Sequence, residues 1–296
     1  MAQQKIILED IGALNSLKEL AESYEEIAVV RMQKIRDSVL KTRDFLAELS
    51  DIFVDLKSSY EREVKDLLER RKKNDKTLTQ PLQKKDKKLM VYLSSNGKFY
   101  GSVTQKTFHL FMQDLKNPEA QDAKIMVIGR AGREMYEGNN AHKEYEYYEI
   151  PDSTTSIEDI KKLVNKFLSF EEVEVYYGKF GTVVKQIPIA TSITGDDIFE
   201  TEVAAPSKRE DRFIFEPVLE KIFHFFETQI MANLFSQTLL ENQLARHSSR
   251  ITAMEEALVH IEDESRRLNL LKNRVRQQTE NIKQMETIAG MALWEE

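Results

Sequence analysis

The stretch 244–285, LARHSSRITAMEEALVHIEDESRRLNLLKNRVRQQTENIKQM, decides the fold. It holds neither Gly nor Pro, and nor does the longer run from Val218 to Ala289 that surrounds it, about 72 residues. At roughly 1.5 Å of rise per residue, a helix of that length extends on the order of 110 Å, more than a globular domain of this mass can enclose. Within it Leu244, Ser248, Ile251, Met254, Leu258, Ile261, Ser265 and Leu268 recur at alternating steps of four and three. That is the seam of a left-handed coiled coil, and Val275, Thr279, Ile282 and Met285 resume it after Leu271 or Lys272.

A partner for this rod stands at the other end of the chain. Ala13 to Gln80 is equally free of Gly and Pro, and Ile35, Val39, Thr42, Leu46, Leu49, Phe53, Leu56 and Tyr60 repeat the same spacing. Two matching rods at opposite ends predict an antiparallel pair. Thr42, Ser248 and Ser265 interrupt the seams and read as spacing residues that permit close approach and set register.

Between the rods the texture changes to a small α/β domain. Lys88–Ser94, Lys124–Ile128 and Val173–Tyr177 read as strands, and Thr182–Ala190 as a β-rich continuation. Thr104–Leu115 and Ser156–Phe167 read as helices, the second capped by Ser156 with Glu158 and Asp159 in its first turn. Strand and helix in alternation predict a largely parallel sheet. The expected organisation is therefore α plus α/β. Residues 1–80 and 212–296 form a long antiparallel two-helix coiled coil, and 87–211 form an inserted Rossmann-like domain. Ile198–Asp211 is expected as an exposed connector, and Glu216 and Pro217 as the opening of the last helix.

Composition excludes several classes of function. A formal charge of −7 argues against a general nucleic-acid coat. The basic stretch of Arg70, Arg71, Lys72 and Lys73 followed by Lys84, Lys85, Lys87 and Lys88 lacks interleaved stacking residues and reads as a solvated linker. No apolar run approaches the roughly 20 residues that cross a bilayer, and no signal or transit peptide is seen, so no direct membrane insertion is expected. With 0 Cys there is no disulfide or thiolate site, and His109, His142, His224, His247 and His260 lack metal-ligand spacing. Gly97, Gly101, Gly129 and Gly132 follow strands but form neither a dinucleotide fingerprint nor a phosphate loop. Glu144–Glu149 is a mixed charge run that nominates no general acid. No cofactor, metal or catalytic residue is expected, and the plain reading is a domain that binds other proteins.

Leu240, Glu241, Ala245, Arg250, Ala253, Met254, Asn273, Arg276, Gln277 and Gly290 reproduce, without gaps, the pattern of the last helix in the gamma subunit of F-type ATP synthases. Ile27, Ala28, Arg31, Met32, Lys34, Arg43 and Phe45 resemble its first helix. Ile128, Gly129, Arg130 and Gly132, with Ser94, Ser95, Lys179, Phe180, Gln186 and Pro188, resemble its middle. The chain resembles that family over nearly its whole length, with departures at Lys98–Gly101 and at Glu280–Lys283. The resemblance implies a non-catalytic rotor stalk, or a gamma-like paralogue in a related ATPase. It implies as partners alpha- and beta-like nucleotide-binding subunits, an epsilon-like subunit and a membrane rotor ring. It places the complex peripherally, on the cytoplasmic face of the cell membrane for a bacterial source. Asn273, Arg276, Gln277, Arg31 and Met32 would grip the catalytic subunits. Lys34, Arg36, Arg246, Arg250, Arg266, Arg267 and Arg274 add a basic character that would engage acidic loops on them. The apolar end from Ile288 to Trp294 resembles a shaft tip in its bearing. A coiled-coil scaffold without a rotary complex is the rival reading.

Overall fold

The computed structural model describes residues 2–59, 86–139, 143–152, 155–194 and 219–292. Helix α1 covers Ala2–Ser59 and helix α5 covers Leu219–Ala292. Between them lie β1 (Asp86–Leu93), α2 (Val103–Asp114), β2 (Lys124–Ile128), α3 (Arg130–Gly138), β3 (Tyr145–Tyr148), α4 (Ile157–Phe167), β4 (Phe170–Phe180) and β5 (Gln186–Ser192). The chain divides into two compact units, Met1–Val29 with Arg250–Glu296, and Val30–Ser249.

In the first unit the two helices run antiparallel. Arg250 places its guanidinium 5.2 Å from the Tyr24 ring centroid, and Lys18 meets Glu262 at 3.6 Å, so descending numbers on one helix meet ascending numbers on the other. On α5 burial falls at Ile251, Met254, Leu258, Ile261, Ser265, Leu268, Lys272, Val275 and Thr279, in steps of three and four. The seam therefore passes through Lys272 rather than Leu271. It ends at Thr279, because Ile282 and Met285, which the periodicity also assigned to it, are 57% and 70% exposed. On α1 the same rhythm starts far earlier than Ile35. Ile7, Ala21 and Ala28 are buried, with Gln4 half-buried before them and Ile11, Leu14, Lys18 and Glu25 half-buried between them. The polar and small residues in that first half conceal a heptad that accessible surface makes plain.

In the second unit the sheet order is β3-β2-β1-β4-β5. Strands β3, β2, β1 and β4 are parallel and β5 joins β4 antiparallel. Central strands are apolar on both faces, as sheets covered on both sides require. Met90, Tyr92, Ile125, Val127 and Tyr176 turn to one face, under Phe108 and Phe111 of α2 and Tyr136 of α3. Leu89, Val91, Met126, Val173 and Val175 turn to the other, under Leu163, Val164 and Phe167 of α4 and Met231, Phe235 and Leu239 of α5. The Ser156 hydroxyl caps α4 by accepting from the Asp159 amide at 3.1 Å, as its sequence predicts.

Two elements were not expected. Glu144–Glu149, read as a charge run, contains the edge strand β3, whose alternating tyrosines pack while its charges face water. Helix α3 begins right after Gly129 and includes Gly132, a residue that argues against a helix in sequence. A Cβ at Gly132 would stand 2.6 Å from Ser94 Cβ and 2.9 Å from a Tyr92 ring atom, so close approach of helix to strand is what the glycine permits. The expected connector Ile198–Asp211, the Glu216–Pro217 helix start and the basic residues 70–73, 84 and 85 lie outside the described residues. Lys87 and Lys88 belong to β1.

Candidate functional site

The sheet order reverses at β1, since β2 is added on one side of it and β4 on the other. In open α/β sheets the carboxyl ends of the strands on either side of such a reversal form a crevice, the usual place for a ligand. Here α5 occupies it. From Glu241 to Arg250 every residue of the helix is buried, most of them polar.

Those residues form two adjacent stripes on the helix, spaced i, i+4, i+7. Asn242, Arg246 and Ser249 face the end of β1. The Asn242 side-chain amide donates to the Leu93 carbonyl at 3.3 Å, while its oxygen accepts from the Gly178 amide at 3.2 Å, so one side chain ties together the ends of β1 and β4. Arg246 Nη1 donates to Asp152 Oδ1 at 2.6 Å and reaches the Ser94 carbonyl at 3.4 Å, with its guanidinium 5.0 Å from the Tyr100 ring centroid. Asp152 in turn accepts from the Asn96 amide at 3.0 Å and the Gly97 amide at 2.7 Å. Gly101, at φ +60, lies against Ser249. Glu241, Ala245 and Ser248 form the second stripe, toward β4 and β5. The Tyr177 hydroxyl meets Glu241 at 3.4 Å, and Ser248 Oγ donates to the Val183 carbonyl at 2.8 Å while accepting from Gln186 Nε2 at 3.0 Å.

The Asp152 carboxylate finds its charge partner and its backbone donors within the chain. Burial works against ionisation of Asp152, but the Arg246 charge, its hydrogen bond and the two backbone N–H donors outweigh it, so the carboxyl lies below its ordinary range. The amides after β1, which a phosphate could use in a nucleotide-binding relative of this architecture, already hold a carboxylate of the chain itself. The space left beside Arg246, Asp152 and Thr155 is a cavity of about 10 Å³, room for no more than a water. A cavity of about 190 Å³ lies against Lys88, Asp114, Glu174 and Tyr176, smaller than the roughly 300–1,000 Å³ of ordinary ligand pockets. Lys88 is engaged there by Glu172 at 3.0 Å and Glu174 at 3.1 Å.

Residues expected to touch partners are placed differently. Asn273, Arg276 and Gln277 are exposed on α5, and Asn273, Gln277 and Glu280 share one stripe. Arg276 Nε donates to Glu280 at 2.8 Å. Arg31 is exposed, whereas Met32 is half-buried. Arg246 and Arg250, two of the basic residues that the resemblance implies would engage acidic loops, are each 5% exposed. Their charge is satisfied inside, Arg246 on Asp152 and Arg250 over Tyr24. Ser248, read as a coiled-coil spacer, is 0% exposed and belongs to the joint with the sheet. No helix among the described residues is long and apolar enough to cross a membrane.

The model of the ATP synthase family matches residues 3–292. The chain belongs to the ATP synthase gamma family. The ATP synthase gamma chain of Symbiobacterium thermophilum is 24% identical over 93% of this chain and 92% of its own length. That of Moorella thermoacetica is 21% identical over 98% of each. Among solved structures, a chain of the Euglena gracilis mitochondrial ATP synthase, determined with OSCP, F1 and the c-ring, superposes with a TM-score of 0.64 at 14% identity, covering 98% of this chain and 94% of that one. A chain of the Tetrahymena thermophila central stalk and c-ring superposes at 0.55 over 80% of this chain. These two likenesses are of fold. For this gamma-family chain, the joint between α5 and the sheet accounts for Glu241, Ala245 and the residues around them, which the sequence pattern singled out without a reason.

Proposed function

We infer that this chain is the central rotor stalk of a rotary ATP synthase. The observation that carries the reading is the gamma-family match from residue 3 to residue 292, which takes in both long helices and the α/β domain together. The chain is a non-catalytic subunit, and the catalytic sites lie on alpha- and beta-like nucleotide-binding subunits around its paired helices. The α/β domain meets an epsilon-like subunit and the membrane rotor ring, as part of a peripheral complex on the cytoplasmic face of the membrane.

A stalk works by differential contact. An asymmetric shaft presents different side chains to each catalytic subunit as it turns, and each subunit adopts the conformation that the facing surface favours. Asn273, Gln277 and Arg276 on α5, with Arg31 and the exposed edge of Met32 on α1, supply the grip. The Arg276–Glu280 pair within α5 weakens that contact, since a partner carboxylate must compete with Glu280 for the guanidinium. Lys283, close to one turn further on, reverses the charge that the family resemblance implies there, so the grip requires a partner whose charge has changed to match.

Subunit counting on the purified complex tests the reading. One copy of this chain with about three copies each of two nucleotide-binding chains is expected. Recovery of the chain without them, or in equal number with its partners, overturns it.

A further inference from the structure

We propose that Asn242, Arg246 and Asp152 form a torsional lock that stops α5 from rolling in the sheet crevice, so that turning of the α/β domain becomes turning of the helix. The proposal rests on the stalk reading and assigns it a positioning device.

The reason lies in how different contacts resist rotation. Apolar packing is non-directional, and a helix held only by Met231, Phe235 and Leu239 could roll while keeping much of its burial. Hydrogen bonds and ion pairs lose their energy with angle, and charge-assisted ones are the strong members of the class. At 241–249 the helix carries directional contacts on two adjacent stripes, one toward the end of β1 and the loop after it, the other toward β4 and β5. A roll of the helix draws Arg246 from Asp152 and Ser94, Asn242 from Leu93 and Gly178, and Ser248 from Val183.

The walls are themselves braced. Asp152 is fixed by the Asn96 and Gly97 amides, and the Asn96 side chain donates to the Ile150 carbonyl at 2.8 Å while accepting from the Arg130 amide at 2.9 Å. The loop after β1 and the segment after β3 are thus one connected frame, and Arg246 is bolted to it. Small residues at Ala245 and Ser249 let the helix sink deep enough for these short side chains to reach; a Cβ at Gly178 would stand 3.5 Å from Ala245.

The test uses the whole complex reconstituted into vesicles, with ATP hydrolysis and ATP-driven ion pumping measured on the same preparation. Asp152→Ala, Arg246→Ala and the double variant are compared with Phe111→Leu, a change in the core on the far face of the sheet from α5. The lock predicts that each joint variant lowers ions pumped per ATP at least about threefold, that the double variant is no worse than either single one, and that Arg246→Lys recovers part of the loss. Phe111→Leu lowers thermal stability yet keeps the wild-type ratio.

Should Arg246→Ala fail to assemble, Asp152→Asn keeps an acceptor for the two amides while removing the charge, and the same drop in the ratio is expected. Joint variants that lose stability but pump at the wild-type ratio overturn the lock, as does an equal loss in Phe111→Leu. A wild-type complex that hydrolyses ATP without pumping overturns the stalk reading itself, which separates the two failures.

Discussion

Asp152 shows how one side chain can settle what a fold is used for. Its carboxylate fills the backbone donors that follow β1 and pairs with Arg246, so the crevice is a joint and not a ligand site. A carboxyl held below its ordinary range contributes stability in full above about pH 4, and that contribution is lost as pH falls through its lowered value. Thermal melts of wild type and Asp152→Asn should therefore differ by a constant amount above about pH 4 and converge below it. Arg246→Ala should be the more damaging change, because it leaves the half-buried Asp152 carboxylate without its cation; up to about 3 kcal/mol of destabilisation, the low end for a buried pair, is expected in denaturant titrations. Gly101→Ala puts a Cβ 2.3 Å from Ser249 Oγ and 2.6 Å from the Ser249 carbonyl, at a φ of +60 that disfavours it as well. A loss of about 1–3 kcal/mol should follow, and Ser249→Gly should restore only part of it, since the backbone clash remains. Asp152 did not stand out by type. Asp152 was one acid among 50 Asp and Glu, and its role depends on Arg246, 94 positions away.

At the scale of elements, local pattern carried the two long helices together with α2 and α4, and missed α3 and β3. The α5 seam follows the heptad with the half-buried Lys272 inside it. Lys272→Leu should raise the melting temperature, by an amount equivalent to about 1 kcal/mol of extra apolar burial. Leu258→Pro should do the opposite. It removes an interior hydrogen bond and kinks the helix at a cost of about 3 kcal/mol or more, which circular dichroism would register as lost helicity and earlier melting. The apparent seam beyond Thr279 is a lesson in the limits of pattern, because spacing marks residues that could be buried and only a neighbour can bury them. Helix α3 and strand β3 were hidden for opposite reasons. The first contains Gly132, demanded by the strand it rests on, and the second is an edge strand whose outward charges swamp its alternation.

For the molecule as a whole, the stalk reading makes Arg276→Ala combined with Gln277→Ala a functional lesion without a structural one. Both residues are exposed, so helicity and melting temperature should stay within experimental error while ATP-driven pumping declines; an unchanged pumping ratio would remove them from the grip. The sequence alone settled the long helices, the central α/β domain and the absence of a phosphate-loop motif, because helix length, heptad spacing and strand alternation are local consequences of backbone geometry. It also carried the family resemblance. Tertiary structure decided which polar residues are working parts. Arginines at helical spacing look alike along a rod, and only the surroundings distinguish Arg276, exposed beside Glu280, from Arg246, desolvated against a carboxylate delivered by a distant loop. Burial is a property of what comes to lie opposite a side chain, and that is written in no local stretch of residues.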